Sequence, residues 1–303
     1  MSIEDSPRLA ASHETFSDRG LAGYALACRR GGQPVVQGSG TWWREVRPCF
    51  FRPLLPFLDV PSGRVGLPYR SALGGCQYPS RASSEHPNSN LAYVVFEDAR
   101  DYCLERLRPK RRTQVRAAEK YFVITPASNS AEFKARAYPV YLEFHERTNY
   151  GYLDSRVRKA QFDRWVDAEF SDPGLVALGA WAGDSLVAVS LSRVVGEAWV
   201  YSSSFASNDA LHRHVTNMML HHVRCLAATV SGVTIVYAGM QKAGAGASVD
   251  EFYLQHGATI IRRPAVLRVN PLARWLLLRF RPELWARLRG ELDAADGVDN
   301  HGC

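Results

Sequence analysis

The sequence predicts a mixed α/β protein with a largely antiparallel sheet flanked by helices, and three observations predict it. Residues 175–206 alternate and turn like three hairpin-linked strands, LVALGAW (175–181), SLVAVSLSRVV (185–195) and AWVYSSSFA (198–206), with turns at AGD and GE. A long helix follows over ALHRHVTNMMLHHVRCLAAT (210–229), capped by Asn208 or Asp209, with Leu211, Val215, Met218, His222 and Leu226 on one face. The run then closes with a strand VTIVYAGM (233–240), a loop QKAGAGA, a short helix SVDEFYLQH (248–256) and a strand ATIIRR (258–263).

The remaining elements are read from the N-terminus onward. Residues 1 to about 90 are rich in Pro, Gly and Ser, with short apolar pieces such as LAGYALACR (21–29), and read as short strands and irregular loops. A strand at 91–96, a helix around 98–106, a helix from Pro109 to about Lys120 and a strand at 121–125 come next; proline is tolerated in the first turn because its missing N–H has no partner there. The segment beginning YPVYLEF (138–144) reads as a helix running into the aromatic loop ERTNYGYLDSR (146–156), and RKAQFDRWVDAEF (158–170) as a helix stopped by SDPG. Residues 270–291 form an apolar and basic helix pair broken at Pro282, read as packing against the core in preference to an interfacial anchor, and the tail reads as disordered. The expected division is 1–125, a divergent N-terminal half; 126–270, the half that carries the site; and 271–303, a helical segment with its tail.

Bulk properties narrow the function classes. A chain of 303 residues that is 46% apolar can bury a sizeable core. No run approaches the ~18 apolar residues of a membrane span, and the N-terminus lacks the apolar core of a secretory signal, so a cytoplasmic location is expected. Six cysteines without a CxxC pair propose neither a zinc site nor a disulfide framework. Four histidines lie on the 210–229 helix, but none are three or four apart, so no metal is expected. A net charge of +7 favours anionic ligands: phosphates, nucleic acid or a lipid surface.

At residues 252–258 the chain reads Phe-Tyr-Leu-Gln-His-Gly-Ala. This frame, an apolar residue, Tyr, three residues and Gly, resembles that of the GNAT acyltransferase superfamily, and its Gly257-Ala258 ending is similar to the Phe-Lys-x-x-Phe-Gly-Ala version of FemAB-like aminoacyl transferases. RRTQVRAAEK (111–120) resembles the basic helix of FemAB-like and cellulose-biosynthesis acetyltransferase-like proteins. The resemblance covers about 91–270 and implies a GNAT-like fold, with an arrangement of two degenerate GNAT-like halves within its scope. It implies transfer of an acyl group to a small-molecule or peptide amine, with acyl-CoA or aminoacyl-tRNA as donor. The junction SNDALHRHVTN lacks the glycine loop that grips the coenzyme A pyrophosphate in GNAT enzymes, and FemAB-like members, which use aminoacyl-tRNA, lack it too. A catalytically inactive fold serving as a nucleic-acid-binding or scaffold module is the alternative from another class.

Candidate site residues follow from the resemblance and from residue chemistry together. Tyr253 is the expected general acid, since a phenol with pKa about 10 suits a basic leaving group; its other reading is a tyrosine bridging helix and sheet. Glu146, with Glu143 beside it, is the expected proton acceptor for the amine. Tyr201 and Ser203, read as sharing one strand face, with Asn217 and Lys242, are expected at the donor, near backbone N–H groups that form an oxyanion site. Arg147, Tyr150 and Tyr152 are expected to shape the acceptor pocket. Arg112 and Arg116, in a stripe with Arg108 and Lys120, are expected to meet phosphates such as those of tRNA, or else to be a solvated face.

Overall fold

The computed structural model describes residues 18–38, 40–58, 60, 66–80, 86–148, 155–242 and 247–290. The chain forms two compact units, each assembled from two stretches: Met1–Gly32 with Val94–Thr259, and Gln33–Tyr93 with Ile260–Cys303. These differ from the linear division at 125 and 270, because strands distant in sequence pair within a unit.

The first unit holds helices α1 (Asp18–Arg30), α2 (Pro109–Ala118), α3 (Ser130–Thr148), α4 (Lys159–Phe170), α5 (Asn208–His212), α6 (Val215–Thr229) and α7 (Ala247–Gln255). Its strands β6 (Val123–Pro126), β7 (Leu175–Ala182), β8 (Ser185–Val195) and β9 (Ala198–Ala206) form an antiparallel meander, and β10 (Ile235–Met240) runs parallel to β9. The two-residue hairpins are set by Gly183 (φ 58°) and Gly196 (φ 56°), which adopt the left-handed backbone that matches strand twist.

Register decides what each face of the meander buries. Val189 and Leu191 on β8 and Phe205 on β9 join Phe133, Val140 and Tyr141 of α3 and Phe162 and Trp165 of α4 in one core. Its aromatics meet edge to face, as between Tyr141 and Phe205 (5.5 Å, 88°) and between Phe162 and Trp165 (5.5 Å), contacts worth about 0.5–1.5 kcal/mol each beyond burial. The same register turns Arg193 inward, where it is 1% exposed and ion-paired to Glu169 and Asp172, with Tyr24 of α1 4.4 Å beneath it. Helix α6 also contacts β8 and β9 and covers the opposite face, with α2 packed on it.

Four expectations are corrected here. LAGYALACR lies in α1, not in strand or loop: Ala25, Ala27 and Cys28 are buried in a helix whose apolar run is too short and too alanine-rich to stand out. The helix expected at 98–106 is a turn followed by a 3-10 turn at Leu104–Arg106, with Asp98 drawn off to Arg224. Helix α3 starts at Ser130, where the Asn129 side chain accepts from Ala131 N (2.9 Å), and it runs through Pro139. The single helix over 210–229 is two, because His214 (φ 65°) takes the left-handed conformation between α5 and α6.

In the second unit the strand order is β1 (Val35–Gly38), β2 (Thr41–Arg47), β3 (Phe50–Pro53), β4 (Gly75–Pro79) and β11 (Thr259–Val269); β3 and β4 are parallel and the other pairs antiparallel. The short strands expected in this part of the chain are present. Trp43, Phe51, Cys76, Tyr78 and Val266 form its core, with Trp43 edge-on to Tyr78 at 5.9 Å. Helices α8 (Pro271–Phe280) and α9 (Pro282–Arg289) follow β11. Strand β5 (Ser89–Phe96) is where the chain passes from this unit into the first.

Candidate functional site

Strand β9 pairs with β10 only over Ala198–Val200 and Ile235–Tyr237. Beyond those residues β9 continues to Ala206, hydrogen-bonded to β8 along its other edge, and β10 continues to Met240. The opening is therefore one-sided: backbone groups on one edge of β9 after Val200 face a strand that has left the ladder. Peptide N–H groups freed in this way must find another partner, which a ligand carbonyl can be.

A bulge sharpens this. Leu191 lies opposite Ser203, but Ser192 lies opposite Tyr201, so Ser202 is the extra residue, and its hydroxyl donates to Leu191 O (2.9 Å). The insertion breaks the alternation expected of the strand. Tyr201 thus sides with Ser204, and its hydroxyl bonds with the side chains of Ser204 and Ser190, while Ser203 sides with Leu191. The expectation that Tyr201 and Ser203 share a face is corrected by this one residue. Burial pushes the Tyr201 phenol up to about 12 despite those serines, so it stays protonated.

Helix α7 carries Tyr253 to this side. The Tyr253 ring is half-buried and meets Tyr201 (6.3 Å, 83°) and Phe96 (6.2 Å, 89°) edge to face. The spacing of Tyr253 and Gly257 has a local cause. Ala258 N donates to Tyr253 O (3.0 Å) and Gly257 N to Leu254 O (3.1 Å), with Gly257 at φ 92°, the pair of bonds that closes a helix through a left-handed glycine. The frame thus explains why a glycine stands four residues after position 253. It does not require a phenol there.

Arg224, absent from the sequence reading, holds this helix end. It is 1% exposed and donates to His256 O (2.7 Å) and to Asp98 Oδ1 (2.6 Å), with its guanidinium 3.7 Å from the Tyr102 ring and 4.2 Å from the Phe96 ring. A cation on the last carbonyls of α7 offsets the helix dipole. The stack then runs from Arg224 through Phe96 to Tyr253. Its signal was an arginine amid the apolar spacing Leu220, Val223, Ala227, all three of them buried.

His256 lies in the same cluster and is 3% exposed; its Nδ1 donates to Phe252 O (2.6 Å). Burial, together with Arg111 and Arg224, lowers its pKa to about 4, and burial with His222 and Arg224 lowers that of His221 to about 4. Unfolded histidines titrate near 6.5. The folded state therefore binds fewer protons between those values, and stability is lost as pH falls from about 6.5 toward 4. Thermal melts across that range are expected to show a falling Tm, with a shallower slope in His256→Gln.

Of the other expected residues, Lys242 lies two residues beyond β10; its N–H donates to Asp250 Oδ2 of α7 (2.6 Å), and burial lowers the pKa of its ammonium against the pull of Asp250. Asn217 is buried in the first turn of α6. Arg112 donates to Glu105 O (3.1 Å), and Arg116 is exposed on α2. It is their neighbour Arg111 that bonds Gln255 of α7. Glu146 is exposed on α3, the helix packed on the Phe205 side of the sheet. Arg147 bonds Asn208 Oδ1 and Ala206 O, while Glu143 accepts from Asn208 N (3.0 Å), so both tie α3 to the end of β9. Tyr150 and Tyr152, the glycines of the QKAGAGA loop and the tail lie outside the described residues. Among the described residues no group of three His, Cys, Asp or Glu is placed to hold a metal, and no helix is long and apolar enough to cross a membrane.

No protein-family model matches the sequence, and no curated protein matches it. Solved structures do. FemX is 10% identical, with 90% of this chain and 96% of that one covered at a TM-score of 0.53. L-PGS from Bacillus licheniformis is 15% identical, with 94% and 97% covered at 0.51. A GCN5-related N-acetyltransferase from Kribbella flavida is 10% identical, with 85% and 97% covered at 0.43. At such identities the likeness is one of fold: the chain shares the fold of FemX and of L-PGS, in keeping with the FemAB-like resemblance of its sequence.

Proposed function

With a GNAT/FemAB-like fold as premise, we propose that this protein is a transferase that moves an acyl or aminoacyl group from an activated ester to an amine in the cytoplasm. The parting of β9 and β10 after Val200 and Tyr237 carries the proposal. The donor carbonyl lodges in that opening, where backbone N–H groups of β9 stabilise the oxyanion as it forms. The amine attacks the carbonyl carbon, the tetrahedral intermediate collapses, and the carbon–oxygen bond to the leaving group breaks. Tyr253 gives its proton to the departing oxygen, and the amine's proton passes to water, because Glu146 lies on the Phe205 side of the sheet and Tyr253 on the Tyr201 side. Holding the reactants in place supplies most of the rate.

Two observations favour aminoacyl-tRNA over acyl-CoA as donor. The first N–H of α5, where a pyrophosphate would bind in the GNAT manner, is met by the Glu143 carboxylate. The basic helix α2 sends Arg111 to the end of α7, bringing phosphate-binding charge toward Tyr253. Incubation with labelled aminoacyl-tRNA and a panel of amines is expected to transfer label, faster at low salt. Incubation with acyl-CoA is expected to release no thiol. Thiol release without loss of label from tRNA would reverse the choice of donor.

A further inference from the structure

The second unit carries a surface that the transferase reading does not use. Helices α8 and α9 bury no side chain completely. Leu272 (66% exposed), Trp275 (57%), Phe280 (62%) and Leu278 (47%) stand in solvent, although these are residues that interiors normally claim. The expectation that the pair packs into a core is corrected: only Ala273, Leu277, Trp285, Ala286 and Leu288 are turned partly inward. Water exposure of so much contiguous apolar surface marks an interaction site.

The charge around the patch selects the partner. Residues 271–289 hold five arginines, Arg274, Arg279, Arg281, Arg287 and Arg289, against one acid, Glu283. Arg274 lies over the Trp285 ring (5.5 Å) and Arg279 over the Phe280 ring (5.6 Å), so cations border the apolar groups instead of forming a separate face. A second copy of this surface would bring like charges together as the apolar groups met. An anionic lipid surface instead accepts both parts, with phosphates at the guanidinium level and acyl chains below it. A ten-residue helix is about 15 Å long, which suits lying in the interface and not crossing it.

The patch is fixed to the sheet of its unit. Asn270 caps α8 by accepting from Leu272 N (2.9 Å), and its amide donates to Ala72 O (2.8 Å), which sets the exposed Tyr69 and Leu73 beside the helix start. Gln77, 1% exposed on β4, donates to Leu288 O (2.9 Å) at the far end of α9. The apolar groups are thus presented by a held hairpin, which lowers the ordering cost of docking.

We propose that the α8–α9 hairpin docks this protein on anionic membrane surfaces, with Leu272, Trp275, Leu278 and Phe280 entering the acyl-chain boundary and the surrounding arginines meeting lipid phosphates. The full chain would be floated with vesicles of phosphatidylcholine, alone or mixed with phosphatidylglycerol. Binding is expected to the mixed vesicles and to weaken with salt. Arg274→Gln, Arg279→Gln and Arg281→Gln are each expected to lower the partition coefficient about fivefold. Trp275→Ser with Phe280→Ser is expected to abolish flotation while leaving the circular dichroism spectrum unchanged. Lipids brominated near the headgroup are expected to quench part of the tryptophan fluorescence, and that part to vanish in Trp275→Phe. Equal binding to both vesicle types, no binding to either, or a concentration-dependent dimer that protects Trp275 without lipid would overturn the proposal. Each of these readouts is independent of transferase activity.

Discussion

Tyr253→Phe is expected to lower the turnover of acyl transfer by about 10²–10³-fold, the usual worth of a positioned general acid. The substitution removes one oxygen and retains the ring, so the edge contacts with Phe96 and Tyr201 persist and the α7 end keeps its Arg224 cap. KM for the donor should change little, because a proton delivered to the leaving group acts in the transition state and not in the bound ground state. A second readout separates acid catalysis from positioning: an ester with a weakly basic leaving group needs no proton, so its deficit should be much smaller. Equal turnover of variant and wild type on the natural ester would assign the phenol a packing role.

The largest effect on stability is expected at Arg193→Met. Arg193 is 1% exposed, and the Glu169 and Asp172 side chains are each 5% exposed, so the substitution leaves two carboxylates in the interior without their cation. Breaking a buried ion pair on one side costs about 3–5 kcal/mol. Among the described residues, Glu169 then keeps the Trp165 indole N–H (2.9 Å) and Asp172 the Gly174 N–H (3.1 Å). Burial already raises the Asp172 pKa in the intact cluster, with Arg193 opposing the rise. Removing the guanidinium raises it further. A carboxyl with a raised folded pKa holds its proton in the folded state after the unfolded chain has released it, so stability falls as pH rises through that window. The deficit of Arg193→Met should therefore be smaller near pH 4 than near pH 7 in urea titrations. The triple change Arg193→Met, Glu169→Gln, Asp172→Asn should recover much of it, since no charge is then stranded.

The buried clusters around Arg193 and Arg224 that organise the first unit join residues too far apart in sequence for local pattern to reveal. Hydrophobic alternation and the Gly183 and Gly196 turns made the meander legible, because both act over a few residues. The break at His214 was not legible: a histidine gives no local reason for a left-handed backbone, and the apolar spacing carries across it. Arg224 could have been noticed as a charge within an apolar stripe. Its partners, however, come from residues 98, 102 and 256, which no spacing rule joins. The bulge at Ser202 was hidden for a different reason. A triple serine alternates equally well in either register, so the side chains did not specify which face Tyr201 would take.

By itself, then, the sequence determined the order of the strands from β6 to β11, the antiparallel meander and the glycine that closes α7, since each follows from period, turn chemistry or a left-handed backbone within one element. Tertiary structure decided where β9 leaves β10, which tyrosines meet across that opening, and that the apolar face of α8 and α9 stays in water. Those outcomes depend on which surfaces the rest of the chain covers, and coverage belongs to the fold as a whole, not to any stretch of residues.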